Sequence, residues 1–174
     1  MTSTPSQTAG PFFDVGFAHL CRASVLEPRD GDFGVKVHGR VIDGNGAPVP
    51  DAAIEIWQAG RDGRYASDDS GFARIHTDDA GIFAFTTIRP GGVSTASGET
   101  HAPHLSVTVF ARGLLKHLTT RMYFPDDPAN ERDPVLALVP QTRRGTLIAE
   151  RQDDGVFEWK VVLQGDEETV FFTW

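Results

Sequence analysis

Hydrophobic and polar residues alternate with a period of two along several short segments, which is the spacing of β-strands that are buried on one side. Residues 35–65 show this first, with valines on one face of an extended segment and basic residues on the other: Val35, Val37 and Val41 against Lys36, His38 and Arg40. Asp43-Gly44-Asn45-Gly46 then predicts a turn, because Gly and Asn accept a positive φ at low cost. The alternation resumes over residues 54–57, so we predict a hairpin that opens an antiparallel β-sandwich.

More short strands follow, each bounded by residues that favour turns. They are predicted over residues 72–77, 82–88, 105–109, 114–124, 146–150 and 156–164. Asp78-Asp79-Ala80-Gly81 and Asp153-Asp154-Gly155 are interpreted as hairpin turns, and Asp133-Pro134 begins one helical turn. No segment shows ten residues of clean helical periodicity, so the sequence predicts an all-β fold, an antiparallel β-sandwich with long loops, extended N- and C-terminal arms and little helix. A length of 174 residues fits a single domain over residues 1–174.

The two ends of the chain are predicted to be arms. Residues 1–13 have no strand or helix period, yet an apolar cluster follows at once, consisting of Phe12, Phe13, Val15 and Phe17. Apolar side chains at this density are seldom left in water, so we expect the arm to lie against the sandwich or against another chain. We also expect the aromatic residues at both ends to be covered in an assembly: Phe12, Phe171, Phe172 and Trp174.

Composition and charge exclude several classes of protein. The formal net charge is −8, which argues against a nucleic-acid surface because phosphate binding needs a basic patch. No apolar run approaches the length of a membrane span, and Met1–Pro5 lacks the features of a signal peptide. The single cysteine, Cys21, excludes an internal disulfide and fits a reducing cytoplasm, where we expect the protein to reside.

The histidines are the first candidates for a metal site. His101 and His104 have the spacing His-x-x-His, and His76 and His117 lie elsewhere in the sequence. On an extended chain, residues i and i+3 point to opposite faces, and no Cys or carboxylate completes a plausible zinc set. We therefore interpret these residues as loop and surface histidines. No Gly-x-Ser-x-Gly, P-loop or His-Glu-x-x-His motif is present in the sequence.

Motifs along nearly the whole chain resemble the intradiol ring-cleaving dioxygenases. Residues 39–65 match the pattern G-R-V-x-D-x-x-G-x-P-V-x-x-A-x-x-E-I-W-Q-A-x-x-x-G-R-Y of that family. Shorter matches follow at Arg89-Pro90-Gly91, Ala102-Pro103-His104, Arg121-Met122-Tyr123-Phe124 and Glu168-Thr169-Val170-Phe171-Phe172. Residues 18–33 and 126–135 match poorly and are interpreted as variable loops.

In that family, Fe(III) is held by two tyrosinates and two histidines, and the histidines form a His-x-His pair on one strand. Hard Fe(III) favours phenolate oxygen, and residues i and i+2 of a strand point the same way. Tyr65 stands at the position of the first tyrosine and His104 at that of the first histidine. Ser106 occupies the position of the second histidine, and Val93 that of the second tyrosine. Because two of the four ligands are missing, the resemblance implies vestigial metal-site positions, no metal on this chain and no catalytic residue on this chain alone.

The resemblance instead implies the subunit without iron of a heteromeric enzyme. Its partner is a homologous beta subunit that carries the Fe(III), in a higher hetero-oligomer. Together they cleave 3,4-dihydroxybenzoate between its hydroxyls with O2, giving 3-carboxy-cis,cis-muconate in the β-ketoadipate pathway of aromatic catabolism. The residues of this chain that the resemblance places at the substrate pocket are Thr8, Gly10, Pro11, Phe12 and Arg121.

Two other functions remain open from the residues themselves. A non-catalytic β-sandwich that serves as a binding or scaffold module would use the aromatic arms for assembly. An independent dioxygenase with an altered metal set would need ligands beyond Tyr65 and His104, because a transition metal requires three or more well-placed donors. Metal analysis of the purified chain separates this last possibility from the others.

Overall fold

The computed structural model describes residues 7–10, 12–28, 34–68 and 70–173. Its strands are β1 Gly34–Ile42, β2 Ala53–Trp57, β3 Phe72–His76, β4 Ile82–Ile88, β5 Val93–Ser94, β6 Thr100–His101, β7 His104–Phe110, β8 Leu118–Tyr123, β9 Glu150–Arg151 and β10 Phe157–Val162. Its α-helices are short, α1 Phe12–Phe17 and α2 Pro134–Leu138, and its 3-10 helices are Ala18–Leu20, Pro128–Arg132 and Gln141–Leu147.

Two four-stranded sheets form the body of the fold. One has the order β4-β1-β10-β9 and the other β3-β2-β7-β8, and β5 pairs with β6 in a separate ribbon. Neighbouring strands are antiparallel except for β1 and β10, which run parallel. The predicted all-β fold with antiparallel sheets is confirmed.

The core lies between the two sheets and follows the predicted alternation. In β1 the residues at 35, 37, 39 and 41 are buried and those between them are exposed. Val37 and Val41 meet Ile54 of β2 and Leu105 of β7 in one cluster, and all four are fully buried. Alternation with a period of two therefore identified the strands and the faces that they bury.

The prediction of an opening hairpin is wrong, although the predicted turn at residues 43–46 does form. Asp43 Oδ1 accepts hydrogen bonds from the backbone N–H groups of Asn45 and Ala47, at 2.8 and 2.9 Å. The chain then crosses from one sheet to the other, so β1 and β2 do not pair. The turn at Asp78–Gly81 likewise joins β3 and β4, which belong to different sheets. Strands of opposite sheets both bury alternate residues in one core, so the alternation could not show which strands pair.

Other predicted elements are confirmed with different bounds. The final hairpin exists between β9 and β10, but β9 has only two residues because 141–147 form a 3-10 helix. The strand expected over residues 114–124 begins at Leu118. The helical turn after Asp133 is α2, whereas α1 lies partly within the predicted arm.

The organisation of residues 1–174 as one domain stays a prediction. Within the described ranges, no helix has the length and apolar character required to cross a membrane.

Candidate functional site

One end of the sheet β3-β2-β7-β8 carries a polar patch on the side away from the core. The patch consists of Trp57, His104, Ser106, Arg121 and Tyr123. The pairing of β7 with β8 sets His104 opposite Tyr123 and Ser106 opposite Arg121. Trp57 of β2 lies opposite Ser106 on its other side. The intervening residues of β7 and β8 point into the core. The strand period thus gathers on one surface residues that lie far apart in the sequence.

A hydrogen-bond network connects Arg121 and Tyr123 of this patch to His101 and Asp133. Arg121 Nη1 lies 3.2 Å from His101 Nδ1 and donates to the Tyr123 hydroxyl at 3.3 Å. The Tyr123 hydroxyl donates in turn to Asp133 Oδ1 at 3.1 Å. Because a guanidinium only donates, His101 Nδ1 is the acceptor and the neutral ring carries its proton on Nε2. Burial is the main cause that raises the pKa of Tyr123 above its usual value, so its hydroxyl stays protonated and able to donate.

Asp133 is the buried anchor of the network, with 1% of its surface exposed. Its Oδ1 also accepts from the N–H groups of Val135 and Leu136 at 2.9 and 2.8 Å, which caps α2. Its Oδ2 accepts from the N–H of Ala102 at 2.7 Å. One carboxylate therefore ties helix α2, the turn between β6 and β7, and strand β8 together.

His104 is almost fully buried within the patch, at 2% exposure. Its Nδ1 lies 2.7 Å from the carbonyl of Ala102, which requires the proton on Nδ1. Burial, followed by the nearby Arg121 cation, lowers the pKa of His104 to about 4. The ring is therefore neutral at neutral pH, and its Nε2 carries a lone pair.

Acid should destabilise the fold through His104. The pKa of this histidine falls from its ordinary value of 6.5 to about 4 on folding, so the unfolded chain binds more protons between these values. The contribution of neutral His104 to the stability of the fold is fully present above pH 6.5 and is lost as the pH falls toward 4. Between pH 7 and pH 5 this group lowers the free energy of unfolding by about 2 kcal/mol.

Urea unfolding of the wild type and of His104→Gln at both pH values measures this contribution. The variant should lose about 2 kcal/mol less than the wild type over the same interval. His38→Gln, on the exposed face of β1, is the matched control and should follow the wild type. Equal losses in the His104 variant and the wild type would contradict the assignment.

The residues at the four positions that the resemblance assigns to the iron ligands do not fit Fe(III). Tyr65 is 37% exposed and stacks on Trp57, with ring centroids 6.1 Å apart. Val93 lies on β5 opposite His101. A valine side chain offers no donor atom and the neutral Ser106 hydroxyl is a poor substitute for imidazole, so the residues present do not fit the ion. Among the described residues, no group of three or more His, Cys, Asp or Glu could hold a metal.

Close backbone packing brings the Tyr65 loop to the turn that precedes Val93. A Cβ at Gly91 would lie 2.2 Å from the carbonyl oxygen of Arg61, and one at Gly63 would lie 2.0 Å from that of Gly92. Only glycine permits this approach. The loop and the turn are thus held together.

The N-terminal arm contacts the far end of the same sheet. The Thr8 hydroxyl accepts a hydrogen bond from the N–H of Gly113 at 2.8 Å, just beyond β7. Phe13 packs against Phe110 with ring centroids 5.8 Å apart. Four residues, or about 13 Å of strand, separate Phe110 from Ser106, which faces Arg121. The structure thus does not bring Thr8 and Arg121 together within this chain.

The remaining residues of the predicted pocket and arms differ in exposure. Phe12 is 81% exposed, and no atom lies within 4 Å of a Cβ built at Gly10. Phe171 and Phe172 are half-buried against the core clusters. Pro11 and Trp174, which belong to the same predicted set, lie outside the described residues.

Three residues of the network were not predicted from the sequence as site residues, namely His101, Tyr123 and Asp133. The expectation that His101 and His104 point to opposite faces is wrong, since the two rings lie 6.0 Å apart. The chain turns between β6 and β7, so the two residues are not on one continuous strand. The His-x-x-His spacing was the available signal; of its two histidines, His101 belongs to the network and His104 lies 2.7 Å from the carbonyl of Ala102.

A cavity of about 780 Å³ lies elsewhere, on the outer face of the sheet β4-β1-β10-β9. Cations and anions both line it, including Arg40, Lys160, Glu158 and Asp166. Interspersed charges of both signs give little preference for an anionic ligand. We therefore place the candidate site at the polar patch and not at this cavity.

Comparison with known proteins gives consistent results. A dioxygenase family model matches residues 8–165. The chain is 39% identical to the protocatechuate 3,4-dioxygenase alpha chain of Pseudomonas putida, over 99% of this chain and 96% of that relative. It is 32% identical to the protocatechuate 3,4-dioxygenase beta chain of Burkholderia cepacia, over 78% of this chain and 66% of that relative. The structure of hydroxyquinol 1,2-dioxygenase from Pseudomonas putida DLL-E4 aligns with a TM-score of 0.69 at 21% identity, covering 93% of this chain and 67% of that one, which is a likeness of fold.

Proposed function

Since this chain belongs to the intradiol dioxygenase family, we propose that it acts as the alpha chain of an enzyme of the protocatechuate 3,4-dioxygenase type. Its partner is a homologous beta chain, and the two form a hetero-oligomer. The family uses non-heme Fe(III), and in this proposal the beta chain holds it. The observation that supports this best is the match to an alpha chain over nearly the full length of the chain, together with Val93 and Ser106 at the positions that the resemblance gives to two of the four ligands.

The proposed reaction cleaves 3,4-dihydroxybenzoate with O2. The bond between the two hydroxyl-bearing ring carbons breaks, and each of these carbons gains one oxygen atom of O2. The ring is oxidised, O2 is reduced, and the product is 3-carboxy-cis,cis-muconate. The atoms balance, because both oxygen atoms of O2 enter the product and the substrate loses none of its own atoms.

In this proposal the chain supplies pocket wall and substrate orientation. Arg121 faces the carboxylate of the substrate, because a guanidinium can bind a carboxylate through two parallel hydrogen bonds. Residues of the arm face the same shared pocket, namely Thr8, Gly10, Pro11 and Phe12. Small displacements of a substrate reduce its rate steeply, so such a wall contributes to catalysis without touching the metal.

Expression of the chain alone, and then with the beta chain, tests the proposal. The isolated chain should contain no stoichiometric iron and should not cleave 3,4-dihydroxybenzoate, because two ligands are missing. The co-expressed pair should bind iron and show full activity. Metal analysis and the absorbance change of ring cleavage measure both quantities. Stoichiometric iron and full activity in the isolated chain would refute the division of labour.

A non-catalytic scaffold module is not favoured, because the chain belongs to an enzyme family along nearly its whole length. It would regain support if no beta chain co-purified, or if Arg121→Ala and deletion of residues 1–12 left the kinetics of the complex unchanged. We also propose the cytoplasm as its compartment, for which the single Cys21 is the support.

A further inference from the structure

The network around Arg121 has a fixed direction of donors and acceptors. Asp133 Oδ1 only accepts, so the Tyr123 hydroxyl directs its proton to Asp133. The oxygen of Tyr123 then presents a lone pair to Arg121 Nη1. His101 Nδ1 presents a second lone pair to the same nitrogen. A guanidinium Nη1 has two N–H bonds, and each of the two acceptors takes one.

From this arrangement we infer that Tyr123 and His101 are positioning residues, which hold the Arg121 guanidinium in the orientation that receives the substrate carboxylate. The inference rests on the proposed function of Arg121 and adds the two residues that act through it. Two acceptors on one nitrogen fix both the position and the plane of a long side chain that otherwise samples many rotamers.

The rigidity of the two acceptors supports this role. Tyr123 is fully buried, and its anchor Asp133 is held by three backbone N–H groups. His101 is paired with Val93 in the ribbon of β5 and β6. Burial and the nearby Arg121 lower the pKa of His101, which favours the neutral ring that accepts. Glu99 and Asp133 act in the opposite direction, and burial is the largest of these effects.

The test uses the reconstituted complex and two substrates, 3,4-dihydroxybenzoate and catechol, which differ by the carboxylate. Tyr123→Phe and His101→Leu each remove one acceptor and should raise KM for the acid about fivefold. Both should leave the kcat and the KM for catechol within about twofold, because catechol has no carboxylate for Arg121 to bind. His101→Asn keeps an acceptor oxygen near the position of Nδ1 and should restore a KM close to that of the wild type.

Two outcomes separate this inference from the proposed function. If Arg121→Ala raises KM for the acid while Tyr123→Phe and His101→Leu do not, the inference is overturned and the proposed function stands. If the wild-type complex does not cleave the acid, the proposed function fails. In that case crystal structures of the same two variants decide the inference, and a guanidinium in its wild-type position would overturn it.

Discussion

Replacing Arg121 with alanine in the reconstituted complex is expected to raise KM for 3,4-dihydroxybenzoate by about ten- to a hundredfold. A hydrogen-bonded ion pair inside a site shielded from water contributes about 1.5–3 kcal/mol, which corresponds to this factor. The KM for catechol should change little, because catechol has no carboxylate. Arg121→Lys should recover part of the loss, since an ammonium keeps the charge but lacks the two-pronged geometry. Steady-state kinetics with both substrates provide the measurement.

Arg112→Ala is the matched control for this prediction. It removes the same charge from the loop that follows β7, where Arg112 is exposed and pairs with Asp51 at 3.1 Å. Exposed ion pairs of this kind contribute about 0–1 kcal/mol, so the control should bind and cleave as the wild type does. Equal changes in the two variants would mean that Arg121 acts through net charge alone and does not contact the substrate.

Replacing Asp133 with alanine is expected to lower the free energy of unfolding by about 3–5 kcal/mol, because three backbone N–H groups and the Tyr123 hydroxyl lose a buried acceptor. The change also removes the cap of α2 and the tie to Ala102. Asp133→Asn should cost only about 1–2 kcal/mol, since its carbonyl oxygen can keep the three bonds now made by Oδ1. Urea unfolding at neutral pH measures both losses.

Asp127→Ala serves as the control for a helix cap. Asp127 caps the 3-10 helix Pro128–Arg132 through one bond from Ala129 N–H at 3.0 Å, and pairs with Arg89 at 3.1 Å. Loss of a single cap costs about 1 kcal/mol, so this variant should be clearly more stable than Asp133→Ala. Equal losses in the two variants would show that the role of Asp133 is limited to capping.

The candidate site was only partly predictable from the sequence. From their motif positions, Ser106 and Val93 are predicted as vestigial metal-site positions and Arg121 as a residue of the substrate pocket, and these stay predictions. The hydrogen bond between Arg121 and His101 could not be predicted from the sequence, because it depends on how β7 and β8 pair and on the turn between β6 and β7. Asp133 was recognised only as the start of a helical turn, since its contact with Ala102 spans 31 residues of sequence.

Local pattern determined the strands of this protein and the faces they bury, because a period of two fixes which side chains share a side whatever the strand later pairs with. The donor chemistry of positions 93 and 106 likewise followed from residue identity. Only the tertiary structure decided which strands pair, and in it β1 and β2 lie in opposite sheets. Pairing between distant segments carries no local signature, so the network that joins Asp133, Tyr123 and Arg121 exists only once the sheets have formed.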